Sequence, residues 1–123
     1  MRKREYVDYL RDMLDAAEKA ERFVAHMDFE TFQKDDKTVF AIIRALEVIG
    51  EAAKKIPASI KKKYSDIPWP DIAGMRDKLI HEYFGVNLQL VFDTVKKDLP
   101  PLRVTVSRML EEAEGKQGRL HSP

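Results

Sequence analysis

The chain contains no cysteine in 123 residues. Disulfides, thiolate zinc sites and a thiol nucleophile are therefore excluded, and the composition fits a cytoplasmic protein. Glycine is scarce, tryptophan occurs once and histidine three times. No apolar run approaches the roughly 18 residues a membrane span requires. The basic start Met1-Arg2-Lys3-Arg4 is not followed by the apolar stretch of a signal peptide. Net charge is only +1, which predicts no strong general attraction to nucleic acid. What remains is a composition rich in Ala, Leu, Lys and Glu, ordinary for a soluble helical domain, at a length that buries a real core without staples.

Apolar residues recur at helical spacing. Tyr6, Leu10, Met13, Ala17, Ala20, Val24 and Met27 form one stripe within a first helix, residues 3–27. Asp28 is placed to cap a short turn, Phe29 to Phe32. A second helix over residues 36–55 presents Phe40, Ile43, Leu46, Ile49 or Gly50, and Ala53, and Pro57 ends it. Gly50 suits close approach of a neighbouring helix. Residues 57–70 form a linker with a short helix at 58–64, and Trp69 is expected to lock it onto the core. A third helix runs from Pro70 or Asp71 to Phe84, with Gly85 as its stop. Asn87 caps a fourth, carrying Leu88, Val91, Phe92 and Val95. Asp98 caps a fifth, which opens with Leu99-Pro100-Pro101 and buries Leu102, Val106, Met109 and Leu110. No segment alternates with period two. The expected fold is all-α, an up-and-down bundle of four to five helices over residues 1–114, with a flexible tail over 115–123.

One octet concentrates chemistry: Arg76-Asp77-Lys78-Leu79-Ile80-His81-Glu82-Tyr83. It sets a forked cation, a carboxylate, an imidazole and a phenol within about two helical turns. Arg grips phosphate through its planar fork, and His moves protons near neutral pH. Asp77 and His81 lie four apart and share a helix face, so the carboxylate can hold one imidazole nitrogen and leave the other for substrate. Arg76 and Tyr83 lie seven apart and share a neighbouring face. One helix thus does not aim Arg76 and His81 the same way, which leaves open whether two copies meet. The bland alternatives are a surface ion-pair arginine and a histidine favoured by the helix dipole.

Two further groups stand out. Lys54, Lys55, Lys61, Lys62 and Lys63 occupy a ten-residue stretch without an acid. This is either a solvated charge run or a patch that contacts RNA phosphates. Arg44, Glu47 and Glu51 on the second helix either pair together or line a cleft facing the third helix. Glu47 and Glu51 repeat the i,i+4 spacing of Asp77 and His81, as a carboxylate metal site in a bundle would. No Glu-x-x-His pair accompanies them, and no metal or other cofactor is expected.

The motif Arg76-x4-His81-x-Tyr83 resembles the Arg-x4-His-x-Tyr motif of the HEPN superfamily, and within it the HepT-like toxins. The block from Ile67-Pro68-Trp69 through Met75-Arg76-Asp77 to His81-Glu82-Tyr83 is similar to that family. So is Arg44-Ala45-Leu46-Glu47-Val48-Ile49-Gly50-Glu51-Ala52. The resemblance covers the chain to about Glu114. It implies a HEPN-like helical homodimer and a metal-independent endoribonuclease acting on tRNA or mRNA. Arg76 and His81 would lie at a cleft between protomers. The implied partner is an MntA-like minimal nucleotidyltransferase antitoxin that silences the toxin by transferring AMP to Tyr83. Many members have Asn after the Arg, where this chain has Asp77. The competing class is a non-catalytic helical adaptor that docks such a nucleotidyltransferase.

Overall fold

The computed structural model describes residues 3–81 and 87–121. Among them every regular element is helical: α1 Tyr6–Phe23, α2 Phe29–Lys34, α3 Asp36–Lys54, α4 Ala58–Lys63, α5 Trp69–His81, α6 Leu88–Asp93 and α7 Leu99–His121, with a π-helical turn Thr94–Asp98 between the last two. The all-α bundle expected from the sequence is present. Four long helices build it: α1 packs against α3 on one side and α7 on the other, and α5 packs on α3.

Local chemistry fixes the boundaries. Asp28 accepts from the Thr31 N–H at 2.8 Å, Asp35 from Thr38 at 3.1 Å and Asn87 from Leu90 at 3.1 Å, each satisfying a helix-start donor. These hydrogen bonds hold the Asp28 and Asp35 carboxyls below the usual carboxylate range. At the far end of α1, Lys96 donates to the Val24 carbonyl at 2.7 Å, a cationic C-terminal cap brought from a distant part of the chain.

The core gathers one face of each helix. Leu10, Met13 and Ala20 of α1 meet Ile42, Leu46 and Ile49 of α3, and Leu99, Val106 and Met109 of α7 close them in. Phe32 on α2 stacks obliquely on Phe92 of α6, with ring centres 5.2 Å apart. Ion pairs mark the antiparallel run of α1 against α7: Arg103 reaches Glu21 near one end, and Arg11 reaches Glu114 near the other, each at 2.6 Å. Trp69 is buried, and its indole N–H donates to the Tyr64 carbonyl at 3.1 Å, so it does tie the linker to the core.

Two expectations need correction. Phe40 is 60% exposed and not part of the buried face of α3. Steps of three residues wind backward by about 60° each on a helix, so a series running 40, 43, 46, 49 walks off the face that Ile42, Leu46, Ile49 and Ala53 define. Asp98 does not open a separate helix. Helical backbone runs unbroken from Leu88 to His121, and the Leu99 N–H reaches back to the Thr94 carbonyl. Pro100 and Pro101 remove two donors and crowd the preceding turn, and the wider π turn accommodates them. The last helix is described as far as His121.

Candidate active site

The α5 helix begins where Pro68 and Trp69 leave the linker; the Ile72 N–H closes the first turn on the Pro68 carbonyl at 3.1 Å. Pro70 in that turn gives up a donor that has no helical partner anyway. The helix carries the backbone of Arg76, Asp77 and His81 in regular register, so position 81 follows position 77 by one turn. The side chains of Arg76 and His81, and Tyr83 altogether, lie outside the described residues.

Asp77 is described, and it makes contact with the end of α3. Lys54, the last residue of that helix, donates to both carboxylate oxygens, at 3.0 and 3.2 Å. The pair is partly exposed, so it contributes little to stability, about 0–1 kcal/mol. Its effect is on the site. An ammonium shared between both oxygens offsets the negative charge that Asp77 places beside position 76, where a phosphate-binding arginine is expected. It also marks which face of α5 meets the end of α3, the face that includes position 81 by register.

The residues expected to line a cleft divide. Exposed Arg44 sits 3.8 Å from half-buried Glu47 as an i,i+3 pair. Arg44 and Glu51 do line a cleft, but its opposite wall is α1 (with Arg4, Tyr9 and Asp12), and Lys55 closes one end. The five lysines are dispersed as well. Lys54 holds Asp77; Lys55 is exposed and has no ion-pair partner among the described residues. Lys61 lies over the Trp69 ring at 5.9 Å, and Lys62 and Lys63 continue the exposed end of α4. No three His, Asp or Glu side chains gather among the described residues in a way that could hold a metal ion.

Sequence reasoning did not single out Arg4, Tyr9 or Asp12. The signal was weak, because Arg4 precedes the helix and Tyr9 lies beside the main apolar stripe. The structure stacks the Arg4 guanidinium over the Tyr9 ring at 4.5 Å and pairs it with Asp12 at 2.7 Å. That hydrogen bond raises the Arg4 pKa above its ordinary value. On the other side of the bundle a larger groove of about 740 Å³ runs between α5 and the α6–α7 helix, with Ile67, Ile72, Met75, Leu90 and Leu102 in its walls. The carboxylates Asp66, Asp71 and Asp98 also line it, and no cation does among the described residues.

A profile of the family described as "Ribonuclease HepT-like" matches residues 13–109. The chain is 52% identical over 101 residues to a protein of Thermococcus cleftensis named "Probable ribonuclease HepT", covering 82% of this chain and 92% of that one. It is 41% identical over 116 residues to a protein of Methanocaldococcus jannaschii named as a candidate RNase, covering 94% and 96%. A third relative, from Caldanaerobacter subterraneus and named in the same way, is 44% identical over 104 residues, covering 85% and 93%. No solved structure matches the chain. The fold and the motif-bearing helix define a helical domain of the HEPN superfamily. Within that superfamily, the chain belongs to the HepT-like ribonuclease family.

Proposed function

We propose that this protein is an endoribonuclease that cuts RNA without a metal and acts in the cytoplasm as the toxin of a prokaryotic toxin–antitoxin pair. The observation that carries the reading is the family match, whose span includes the whole of Arg76-x4-His81-x-Tyr83. The relatives' names as ribonucleases support it.

RNA supplies its own nucleophile, the 2′-hydroxyl. His81 takes the proton from that hydroxyl as general base. The 2′-oxygen bonds to phosphorus and the P–O5′ bond breaks. A protonated His81, of the same or a second copy, returns a proton to the leaving oxygen. Arg76 clamps the phosphate and stabilises the charge that develops on it. Asp77 orients His81, and Lys54 keeps the Asp77 charge from competing for Arg76. The products are a 2′,3′-cyclic phosphate and a 5′-hydroxyl. Because positions 76 and 81 lie about 140° apart around a helix, a homodimer that pools two α5 helices completes the site.

Silencing falls to Tyr83. A minimal nucleotidyltransferase partner transfers AMP from a nucleoside triphosphate to the phenol oxygen and releases pyrophosphate. The added bulk and negative charge, two residues from His81, fill the cleft and neutralise Arg76.

The deoxy control tests the chemistry. A labelled RNA strand and an all-deoxy strand of the same sequence are incubated with the pure protein. Only the RNA is expected to be cut, with cyclic phosphate ends. Cleavage of the DNA at a similar rate rules out attack by the 2′-hydroxyl.

A further inference from the structure

Resting on the ribonuclease reading, we propose that the cleft between α1 and α3 binds single-stranded RNA, with Tyr9 and Arg4 as a base-stacking platform and Arg44 and Lys55 as phosphate contacts. The cleft has a volume of about 240 Å³. Arg44 and Glu51 on α3 and Lys55, the residue that caps its C-terminus, follow one another at steps of seven and four, so they share one face. Arg44 and Lys55 are separated by about 16 Å along the axis, a span of a few nucleotides. Across from them, half-buried Tyr9 is held against the core, and the Arg4 guanidinium covers its ring at 4.5 Å. The Arg4 guanidinium, held over that ring and paired with Asp12, offers its own planar face to a base without reading its identity.

Charge favours this cleft over the larger groove. Its walls carry three cations, Arg4, Arg44 and Lys55, against two carboxylates, Asp12 and Glu51, and Asp12 is held by Arg4. The walls of the α5–α7 groove carry three carboxylates and no described cation, the wrong sign for a phosphate backbone. Position also favours it. Lys55 directly follows Lys54, whose ammonium bridges to Asp77 beside position 76. A strand lying in the cleft and passing Lys55 is therefore led to the helix that carries the motif.

The test uses a fluorescent 2′-O-methyl single strand of about twelve nucleotides, which lacks the free nucleophile, and the same sequence as a duplex. Fluorescence anisotropy with the full chain is expected to show tighter binding of the single strand. Tyr9→Ala should weaken that binding by about 5- to 150-fold, the range for loss of one stacked base, and Tyr9→Phe should retain it. The exposed double variant Arg44→Glu/Lys55→Glu cannot act through the core. It should weaken binding and flatten its salt dependence. If the wild type cleaves RNA while the double variant binds and cleaves as it does, the cleft is not the track and the ribonuclease reading stands. A wild type that neither binds nor cleaves RNA overturns both.

Discussion

Lys54 at the end of α3 and Asp77 in the middle of α5 are joined through both carboxylate oxygens, at 3.0 and 3.2 Å. The end of the helix that carries the first block of the family resemblance thus meets the second block in one ion pair. Lys54→Ala leaves the Asp77 charge beside Arg76 without this partner. Cleavage, read as kcat/KM on a labelled RNA, is expected to fall roughly fivefold, the equivalent of about 1 kcal/mol. Adding Asp77→Asn removes the charge while keeping an oxygen that can accept from an imidazole, so the double variant should recover most of the loss. A double variant no better than Lys54→Ala contradicts this role.

Trp69 anchors the start of α5 through burial and through its bond to the Tyr64 carbonyl. Trp69→Ala should cost about 3–5 kcal/mol of unfolding free energy in urea. Because the linker sets where α5 begins, activity per folded molecule should fall too. An activity unchanged in the folded fraction indicates that α5 is positioned from α3 alone.

Tyr64 donates a hydrogen bond to Glu112, and this bond raises the phenol pKa to about 12. A raised folded pKa means the contribution is fully present below the unfolded value of about 10 and is lost as pH climbs through the folded value. Stability should therefore decline between about pH 10 and pH 12. Glu112→Gln should bring Tyr64 ionisation, followed by ultraviolet absorbance, back toward an ordinary phenol. Unaltered titration in that variant rules out Glu112 as the cause.

The caps Asp28 and Asp35 shift the other way. Their folded pKa values are lowered by the Thr31 and Thr38 N–H groups, so their stabilisation is present above the unfolded value and is lost as pH falls through the folded one. The urea midpoint should drop on acidification below about pH 4, and Asp28→Asn, which still caps, should make that drop shallower. An identical acid profile in the variant counts against the cap as a source of it.

Much of this was readable in the chain. Helices buried on one side show a 3.6-residue apolar period, which is why α1, α3 and α7 were expected close to where they lie. Asp28 and Asn87 were recognisable as caps because a side-chain acceptor immediately before an apolar run has one use. What escaped depends on packing between segments distant in sequence. Phe40 sits at helical spacing from Ile43 yet falls outside the face that α1 covers. The π turn before Pro100 arises because the helix continues through two prolines rather than restarting after them. The Lys54–Asp77 pair and the Arg4–Tyr9–Asp12 cluster join residues whose proximity only the fold creates. At the site itself, the motif Arg76-x4-His81 was legible as residue types and spacing. The aim of those two side chains and the setting of Tyr83 lie outside the described residues.

A Tyr83→Phe chain cannot accept AMP on oxygen. Co-expressed with a minimal nucleotidyltransferase of the kind proposed as its partner, it should still arrest growth, whereas the wild type should not. Protection of cells carrying the variant would show that silencing does not pass through Tyr83.

The central claim, metal-free RNA cleavage by Arg76 and His81, is tested most directly with purified protein, labelled RNA and a chelator in excess. The wild type is expected to cleave. His81→Ala should lose about 10²–10⁴-fold, as removal of a general acid–base does, and Arg76→Ala should lose about 10²–10³-fold, as removal of a charge-stabilising donor does. Equal cleavage by all three proteins, or none by the wild type until a divalent metal is restored, contradicts it.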